Sequence, residues 1–199
     1  MIQNRSDLRY YLGRDRVAMG RTEKHPRVFG DVIWKYVICL RQTEYYYNCR
    51  RKSLLGRLVF LFLTIKRHHL AEKTGFEIGL NQCGPGLSIA HTGKVVFHKN
   101  ASVGQNCRMV GEITLGATNG STDAPHLGDN VFISVGARII GGITIADDVA
   151  IAANAVVTKS IIEPGTTWGG IPARKISNHD SSANFPYLEL MKGFVDNGK

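Results

Sequence analysis

The chain has 199 residues, of which 43% are hydrophobic, a size and composition typical of one globular domain with an added segment. Its net charge of +9 comes from the first part of the chain. Residues 1–73 contain 16 Lys and Arg and 6 Asp and Glu, whereas residues 74–199 contain 9 Lys and Arg and 10 Asp and Glu. This asymmetry favours an anionic substrate or an acidic membrane surface as a contact of the basic segment, and without a recognisable motif we expect no nucleic-acid partner.

The four cysteines, at positions 39, 49, 83 and 107, show neither a C-x-x-C motif nor a zinc-ligand spacing with histidine. Their spacing and the chain length also exclude the small disulfide scaffolds that are typical of secreted domains. The first residues, "MIQNRSDLRYYLGRDR", contain no apolar signal core. We therefore expect a cytoplasmic protein.

Residues 1–74 are predicted to form a basic helical segment. Ser6 is a candidate N-cap of a first helix, Pro26 and Gly30 break the pattern, and Asp31 is a candidate N-cap of a second helix. The second helix has apolar residues at helical spacing, namely Ile33, Trp34, Val37, Ile38 and Leu40.

A third helix is predicted over residues 54–65, within the apolar run "SLLGRLVFLFLTIKRHHL". The run offers about a dozen apolar positions broken by Arg57, fewer than the roughly 20 residues that cross a bilayer. We expect a buried helix, and docking on a membrane surface is the alternative.

From about residue 75 glycine becomes frequent, and a period of six replaces the helical spacing. One apolar column runs through Leu127, Ile133, Ile139, Ile145, Ile151 and Val157. A companion column lies four residues after the first five members, at Val131, Ala137, Ile143, Val149 and Ala155. The same two phases continue upstream, at Val103, Met109 and Leu115 and at Cys107 and Ile113.

A period of six is the period of neither a helix nor a flat strand. It is typical of a β-helix, in which each hexad forms one short strand and a turn, and three hexads close one coil. No hexad can bury its own apolar residue, so the coils must stack. The sequence therefore predicts a mainly β fold, with a β-helix over residues 75–177 and a tail over residues 178–199.

The segment "GATNGSTDAPH" interrupts the period between Leu115 and Leu127. A polar, glycine-rich interruption of so regular a repeat must leave the coil as a loop. Loops that project from a rigid solenoid are frequent places for binding residues.

The segments "FEIGLN", "GPGLSIAHTG", "NASVGQNCRMVGEITLGA" and "WGGIPARKIS", together with the hexads, resemble the hexapeptide-repeat acyltransferases, in particular their serine-acetyltransferase-like branch. The N-terminal "DLRYYLGRDRVAMG" resembles the shorter helical cap of relatives that are encoded with surface-polysaccharide genes. This resemblance implies a left-handed parallel β-helix with an N-terminal α-helical cap. It also implies a homotrimer with sites between neighbouring subunits, and acetyl-CoA as the donor without a metal.

His91 matches the catalytic base of the family, and an imidazole is a suitable base for a hydroxyl that attacks a thioester at neutral pH. Glu77 matches the carboxylate that hydrogen-bonds the far nitrogen of that imidazole. The resemblance places the backbone N–H that stabilises the oxyanion at Gly116 or Ala117.

The resemblance also implies contacts for acetyl-CoA. The pantetheine arm is expected near Val135 and Gly136, and Lys159, Arg174 and Lys175 are candidate ligands of the phosphates.

The predicted acceptor site departs from the serine acetyltransferase pattern. Ala90 replaces the aspartate that precedes the catalytic histidine, and Asp123 and Ala124 replace an Arg-His pair. A zwitterion would lose affinity without these partners. We therefore predict a saccharide hydroxyl, of a surface polysaccharide or its precursor, as the acceptor, bound near Ala90, Lys99, Asp123 and His126; serine O-acetylation is the alternative.

Two other classes of protein share this fold or its charge pattern. A metal-dependent carbonic anhydrase would use His91, His98 and His126, but its paired ligands lie five residues apart, whereas the first two of these histidines lie seven apart. A non-catalytic binding module would dock through the basic segment, but it would not need His91 and Glu77.

Overall fold

The computed structural model describes residues 1–193, so residues 194–199 of the predicted tail lie outside the described residues. Three helices come first: α1 (Arg5–Ala18), α2 (Val32–Tyr45) and α3 (Leu54–Thr74), with a π-helical turn at Tyr46–Arg50 between the last two. The chain ends with a 3-10 turn (Ser182–Asn184) and a short α4 (Leu188–Lys192). The predicted helical segment and its three helices are thus present.

The helix ends differ from the sequence-based prediction at three points. Asn4 caps α1 in place of Ser6, because the helix begins earlier and the Asn4 side chain accepts a hydrogen bond from the N–H of Asp7. Asp31 precedes α2 but makes no capping bond; its carboxylate accepts from the N–H of Arg27 instead. The third helix continues well beyond residue 65, to Gly75, which ends it in the left-handed region (φ 82°).

The prediction that the third helix is buried is wrong for one side of α3. Leu63 and Leu70 are buried, on the side that packs against α2 and the first coil. Six large apolar side chains on the other side are 57–75% exposed: Leu54, Leu55, Leu58, Leu61, Phe62 and Ile65. The first three turns of the helix have apolar residues on both the covered and the exposed side, interrupted by Arg57, and the protein covers only one of these sides.

Three parallel sheets form the faces of a triangular β-helix. The first sheet contains β1 (Phe76–Glu77), β3 (Val95–Phe97), β6 (Ile113–Gly116), β9 (Arg138–Ile140) and β12 (Val156–Val157). The second contains β4 (Ser102–Val103), β7 (His126–Leu127) and β10 (Thr144–Ile145). The third contains β2 (Ser88–Ile89), β5 (Arg108–Met109), β8 (Phe132–Ile133), β11 (Ala150–Ile151) and β13 (Thr167–Gly169), and β14 (Arg174–Ser177) pairs antiparallel with β13.

The pairing register confirms the period of six. Val95 pairs with Ile113 and Arg138 with Val156, and each pair is 18 residues, or three hexads, apart. Both predicted apolar columns point into the core and are buried along their whole length. Thr114 pairs with Arg138, 24 residues later, because residues 117–125 leave the coil as the predicted loop.

One corner of the β-helix is stabilised by a ladder of side-chain amides. Asn106 and Asn130 occupy equivalent turns in the left-handed region (both φ 55°), followed by Asp148 (φ 60°). The Asn106 amide donates to Oδ1 of Asn130, and the Asn130 amide donates to Oδ1 of Asp148, each at 2.8 Å. Arg14 of α1 donates to Oδ1 of Asn106 and so ties the helical segment to the ladder.

A buried charge cluster joins the helical segment to the first coil. Arg41 of α2 has no exposed surface; it donates to Oδ2 of Asp15 (2.7 Å), to Oε2 of Glu44 (3.1 Å) and to the carbonyl of Cys83 (2.8 Å) and that of Gly84. Burial lowers the pKa of the Arg41 guanidinium, but the two carboxylates more than offset this and raise its pKa above the ordinary value.

The two carboxylates of this cluster bind the backbone of the first coil. Oδ1 of Asp15 accepts from the N–H groups of Gly86 and Leu87, both at 2.8 Å, and Oε1 of Glu44 accepts from the N–H of Asn81 at 2.8 Å. A terminal coil has no preceding coil to bond to. The cluster therefore replaces the ladder partners that an earlier coil would supply.

The C-terminal tail returns to the helical segment. Phe185 and Met191 are buried together with Ala18 of α1. None of the helices in the described residues 1–193 meets the length and apolarity that crossing a bilayer requires.

Removal of Arg41 should destabilise the fold strongly. Arg41→Met leaves the carboxylates of Asp15 and Glu44 buried without a cation, and we expect a loss of about 3–5 kcal/mol in the free energy of unfolding. Urea denaturation followed by circular dichroism measures this loss. The matched control Arg9→Met removes an exposed arginine of α1 and should change the stability by less than about 1 kcal/mol; equal effects of the two substitutions would contradict a structural role of the cluster.

Candidate functional site

His91 lies at the corner between the third and the first sheet, in a turn that is two residues longer than the corresponding turn of the next coil. The N–H of Ala90 donates to the carbonyl of Met109, and Val95 pairs with Ile113. Residues 91–94 therefore span the corner that only Gly111 and Glu112 span in the next coil. The His91 side chain in this longer turn is exposed. Among residues 1–193 the His91 ring has no hydrogen-bond partner, so neither of its nitrogens is occupied.

Glu77 points outward from the first sheet, in the first coil. It lines a cavity of about 440 Å³ with His68, Glu72 and Lys94. No hydrogen bond or ion pair in the described part of the chain joins Glu77 to His91. The predicted contact between them is thus absent from the isolated chain, although both belong to the first coil.

Gly116 and Ala117 lie at the next corner, between the first and the second sheet, where the loop leaves the coil. The carbonyl of Gly116 accepts from the N–H of Gly141. The hydrogen-bond ladder to the preceding coil stops at this point. Its next acceptor would be the carbonyl of His98, but that carbonyl already accepts from the N–H of Ala101 and from the side chain of Gln82. Among the described residues the N–H of Ala117 has no hydrogen-bond acceptor, which leaves a fixed donor at the base of the loop.

The loop of residues 117–125 is held against the corner between the first and the second sheet. The amide of Asn100 donates to the carbonyl of Thr122 at 2.7 Å. Asp123 lies against Gly142, where an added Cβ would come within 2.6 Å of the Asp123 side chain. Asp123 itself and the nearby Lys99 are exposed.

His126 follows the loop at the start of β7. Its Nδ1 lies 2.8 Å from Oγ of Ser102, and its side chain is exposed. Sequence reasoning missed both Asn100 and Ser102 as residues that position the loop. The repeat register could have identified this part of the site, because Ser102 precedes His126 by one coil of 18 residues plus the six inserted residues and therefore pairs with it.

Three of the predicted cofactor residues meet at the C-terminal end of the β-helix. Lys159, Arg174 and Lys175 line a cavity of about 460 Å³ together with Trp168. Lys175 forms an ion pair with Glu163, whereas no salt bridge to Lys159 or Arg174 is found in residues 1–193. The cavity therefore combines positive charge with an aromatic face, a combination suited to a phosphorylated nucleotide.

Val135 and Gly136 lie apart from this cavity, at the corner that also carries His91, two coils further along the axis. Val135 is exposed, and Gly136 has a φ of 78°. An added Cβ at Gly136 would meet Oδ1 of Asn154 at 2.0 Å, so the turn requires glycine.

The predicted site residues are thus divided between two edges of one chain. Ala90, His91, Val135 and Gly136 lie on one edge, and Lys99, Gly116, Ala117 and Lys159 lie on the other. The first sheet separates the two edges. No group of three His, Cys, Asp or Glu in residues 1–193 is arranged to hold a metal ion, and His91, His98 and His126 do not converge.

Comparisons with known proteins identify relatives over nearly the whole chain. The family model "Bacterial transferase hexapeptide (six repeats)" matches residues 124–159. A serine acetyltransferase of Helicobacter pylori is 30% identical over 181 residues, 86% of this chain and 97% of that protein. A serine acetyltransferase of Staphylococcus epidermidis is 31% identical over 84% of this chain and 75% of its own length.

Solved structures share the fold. The crystal structure of serine acetyltransferase from Brucella abortus has a TM-score of 0.68 and 25% identity, and it matches 88% of this chain and 71% of its own. The same enzyme in complex with coenzyme A has a TM-score of 0.66 and 23% identity, over 88% of this chain. The fold is therefore the hexapeptide β-helix of these enzymes, preceded by a helical region.

The prediction of a saccharide acceptor is wrong. Relatives that match most of the chain are serine acetyltransferases, and they support the alternative that was drawn from the sequence. The prediction depended on the absence of the aspartate expected at position 90 and of the Arg-His pair expected at positions 123 and 124. A missing partner removes one contact, but it does not specify which other ligand the site binds.

Proposed function

The chain belongs to the serine acetyltransferase family and is an acyltransferase that uses acetyl-CoA, and we propose that it transfers the acetyl group to the hydroxyl of serine. The proposal depends above all on one observation, the 30% identity to the Helicobacter pylori serine acetyltransferase over 97% of that protein. The exposed His91 at a lengthened corner, with neither ring nitrogen occupied, supports it.

In this mechanism His91 is the general base. Its imidazole takes the proton of the serine hydroxyl while the oxygen attacks the thioester carbon of acetyl-CoA. The N–H of Ala117, at the base of the loop, donates to the oxyanion of the tetrahedral intermediate. The intermediate collapses, the C–S bond breaks, and the thiolate of coenzyme A leaves and takes the proton from the imidazolium.

We assign the other predicted residues to binding and positioning. The cavity of Lys159, Arg174 and Lys175 would hold the phosphates of coenzyme A, and the pantetheine arm would run toward Val135 and Gly136. Glu77 would orient His91 and stabilise its imidazolium once the site is complete.

Serine is a zwitterion, so its site needs one group of each charge. Asp123 and Lys99 are both exposed beside the loop, and we assign the first to the ammonium group and the second to the carboxylate of serine. His126 and Ala90 would then border the acceptor without binding its charges.

Because the assigned residues lie on two edges of one chain, we propose that each site forms between neighbouring copies of a homotrimer. One copy would contribute His91 and its neighbour the loop and the cofactor cavity. A cyclic trimer repeats such a contact three times and closes on itself.

Substitution of the base tests the mechanism. His91→Ala should lower kcat by about two to four orders of magnitude, because the hydroxyl loses its proton acceptor, while the binding of coenzyme A and the thermal midpoint stay unchanged. Thiol release from acetyl-CoA measures kcat. The control His98→Ala removes another histidine from the neighbouring corner; a His91→Ala variant as active as this control would contradict the assignment.

Competition between acceptors tests the substrate. We expect kcat/KM for L-serine to exceed that for N-acetylglucosamine by at least about tenfold. Asp123→Asn and Lys99→Gln should raise the KM for serine more than they lower kcat, whereas the exposed control Lys24→Gln should change neither. Preferred acetylation of the saccharide would overturn the serine assignment and leave the role of His91 intact.

Mixed assemblies test whether the site forms between copies. His91→Ala and the double variant Lys159→Glu/Arg174→Glu should each be inactive alone. In randomly mixed trimers about a quarter of the interfaces combine an intact His91 with an intact cavity, so about a quarter of the wild-type activity should return. A mixture that stays inactive, or an active monomer in light scattering, would contradict the shared site.

A further inference from the structure

The exposed face of α3 is an apolar feature of the described surface that the proposed function does not use. Its six side chains, Leu54, Leu55, Leu58, Leu61, Phe62 and Ile65, follow the spacing of one helix face over three turns. They lie opposite Gly56, Leu63 and Leu70, which pack against the protein. Contiguous apolar faces of this kind on a protein surface mark contact sites.

The charged residues of the segment that carries this face are all basic. Residues 46–71 contain six Lys and Arg and no Asp or Glu. Arg50, Arg51 and Lys52 precede the helix, and Arg57 and Lys66 flank the apolar face; all five are exposed. Arg51 stacks on the rings of Tyr47 and Phe60, which fixes its charge at the start of the face.

We infer that this face binds the surface of an anionic lipid membrane. The six apolar side chains would enter the boundary between headgroups and acyl chains, and the basic residues would bind the lipid phosphates. The apolar part of α3 covers 12 residues, about 18 Å of helix, which is too short to cross the roughly 30 Å of a bilayer core. The helix would therefore lie in the plane of the surface.

A second copy of the chain fits this face less well. Two copies that met through it would bring their basic clusters together, and residues 46–71 offer no carboxylate to compensate them. A membrane of anionic lipids supplies both the apolar phase and the opposite charge. The inference is independent of the acceptor, because the face occupies the first half of α3 and the helix runs on to Thr74 before Glu77.

Vesicle flotation of the purified full chain tests the inference. Vesicles of phosphatidylcholine with phosphatidylglycerol should carry the protein to the top of the gradient, and added salt should release it. Vesicles of phosphatidylcholine alone should bind at least about tenfold less protein, because the electrostatic contribution is lost.

Two triple variants separate the apolar from the electrostatic contribution. Leu58→Gln/Leu61→Gln/Phe62→Gln and Arg50→Gln/Lys52→Gln/Lys66→Gln should each lower the bound fraction at least about tenfold. The matched control Ile162→Gln/Ile171→Gln changes two exposed isoleucines at the far end of the β-helix and should bind like the wild type. Acetyl transfer in solution should be unchanged in all three variants, which separates a failure here from a failure of the proposed activity.

Two results would overturn the inference. One is a wild type that does not float with anionic vesicles, or an apolar variant that floats as well as the wild type. The other is light scattering without vesicles in which the apolar triple variant dissociates and the control does not, since a second copy would then occupy the face.

Discussion

Each coil of the β-helix buries its aliphatic side chains only against the coils before and after it. A single hexad supplies one short strand and two inward-pointing side chains, and it is not stable alone. The stack therefore has to keep its register, and the repeat of 18 residues does this from Val95 to Val157 apart from one loop. The amide ladder from Asn106 to Asp148 adds a polar register at one corner. That register aligns the corners of successive coils, and His91 and Asp123 lie where a longer turn and a loop depart from it.

A stack has two ends, and the chain closes them in different ways. At the first coil, Arg41, Asp15 and Glu44 bind backbone groups that would otherwise lack ladder partners. At the last coil, β14 folds back antiparallel on β13, and the tail then returns to α1. The first end is closed by buried charges with all partners satisfied, and the second by a strand whose outer side is exposed.

Much of this fold follows from sequence because the period of six has a single structural interpretation. The two apolar columns, the loop and the helical segment are present as predicted. The burial of Arg41 could not be predicted, because an arginine in a helix normally indicates a solvated face. Nor could the exposed side of α3, since a helix with apolar residues on both sides gives no sign of which side the chain covers. For the site, the sequence proposes candidate residues by type, but only the structure shows that these candidates lie on two edges.

The unequal closure of the two ends has a consequence for local unfolding. In a one-dimensional stack, coils separate from an end inward, and the end with weaker closure opens first. Here that end carries Lys159 and Arg174, whereas His91 lies in the coil fixed by the buried charges. Hydrogen exchange should therefore be fastest in the strands around the proposed cofactor cavity and slowest in the first coil. If the assignments hold, the large ligand would be exchanged at the end that opens first, and the imidazole would be held at the end that the buried charges close.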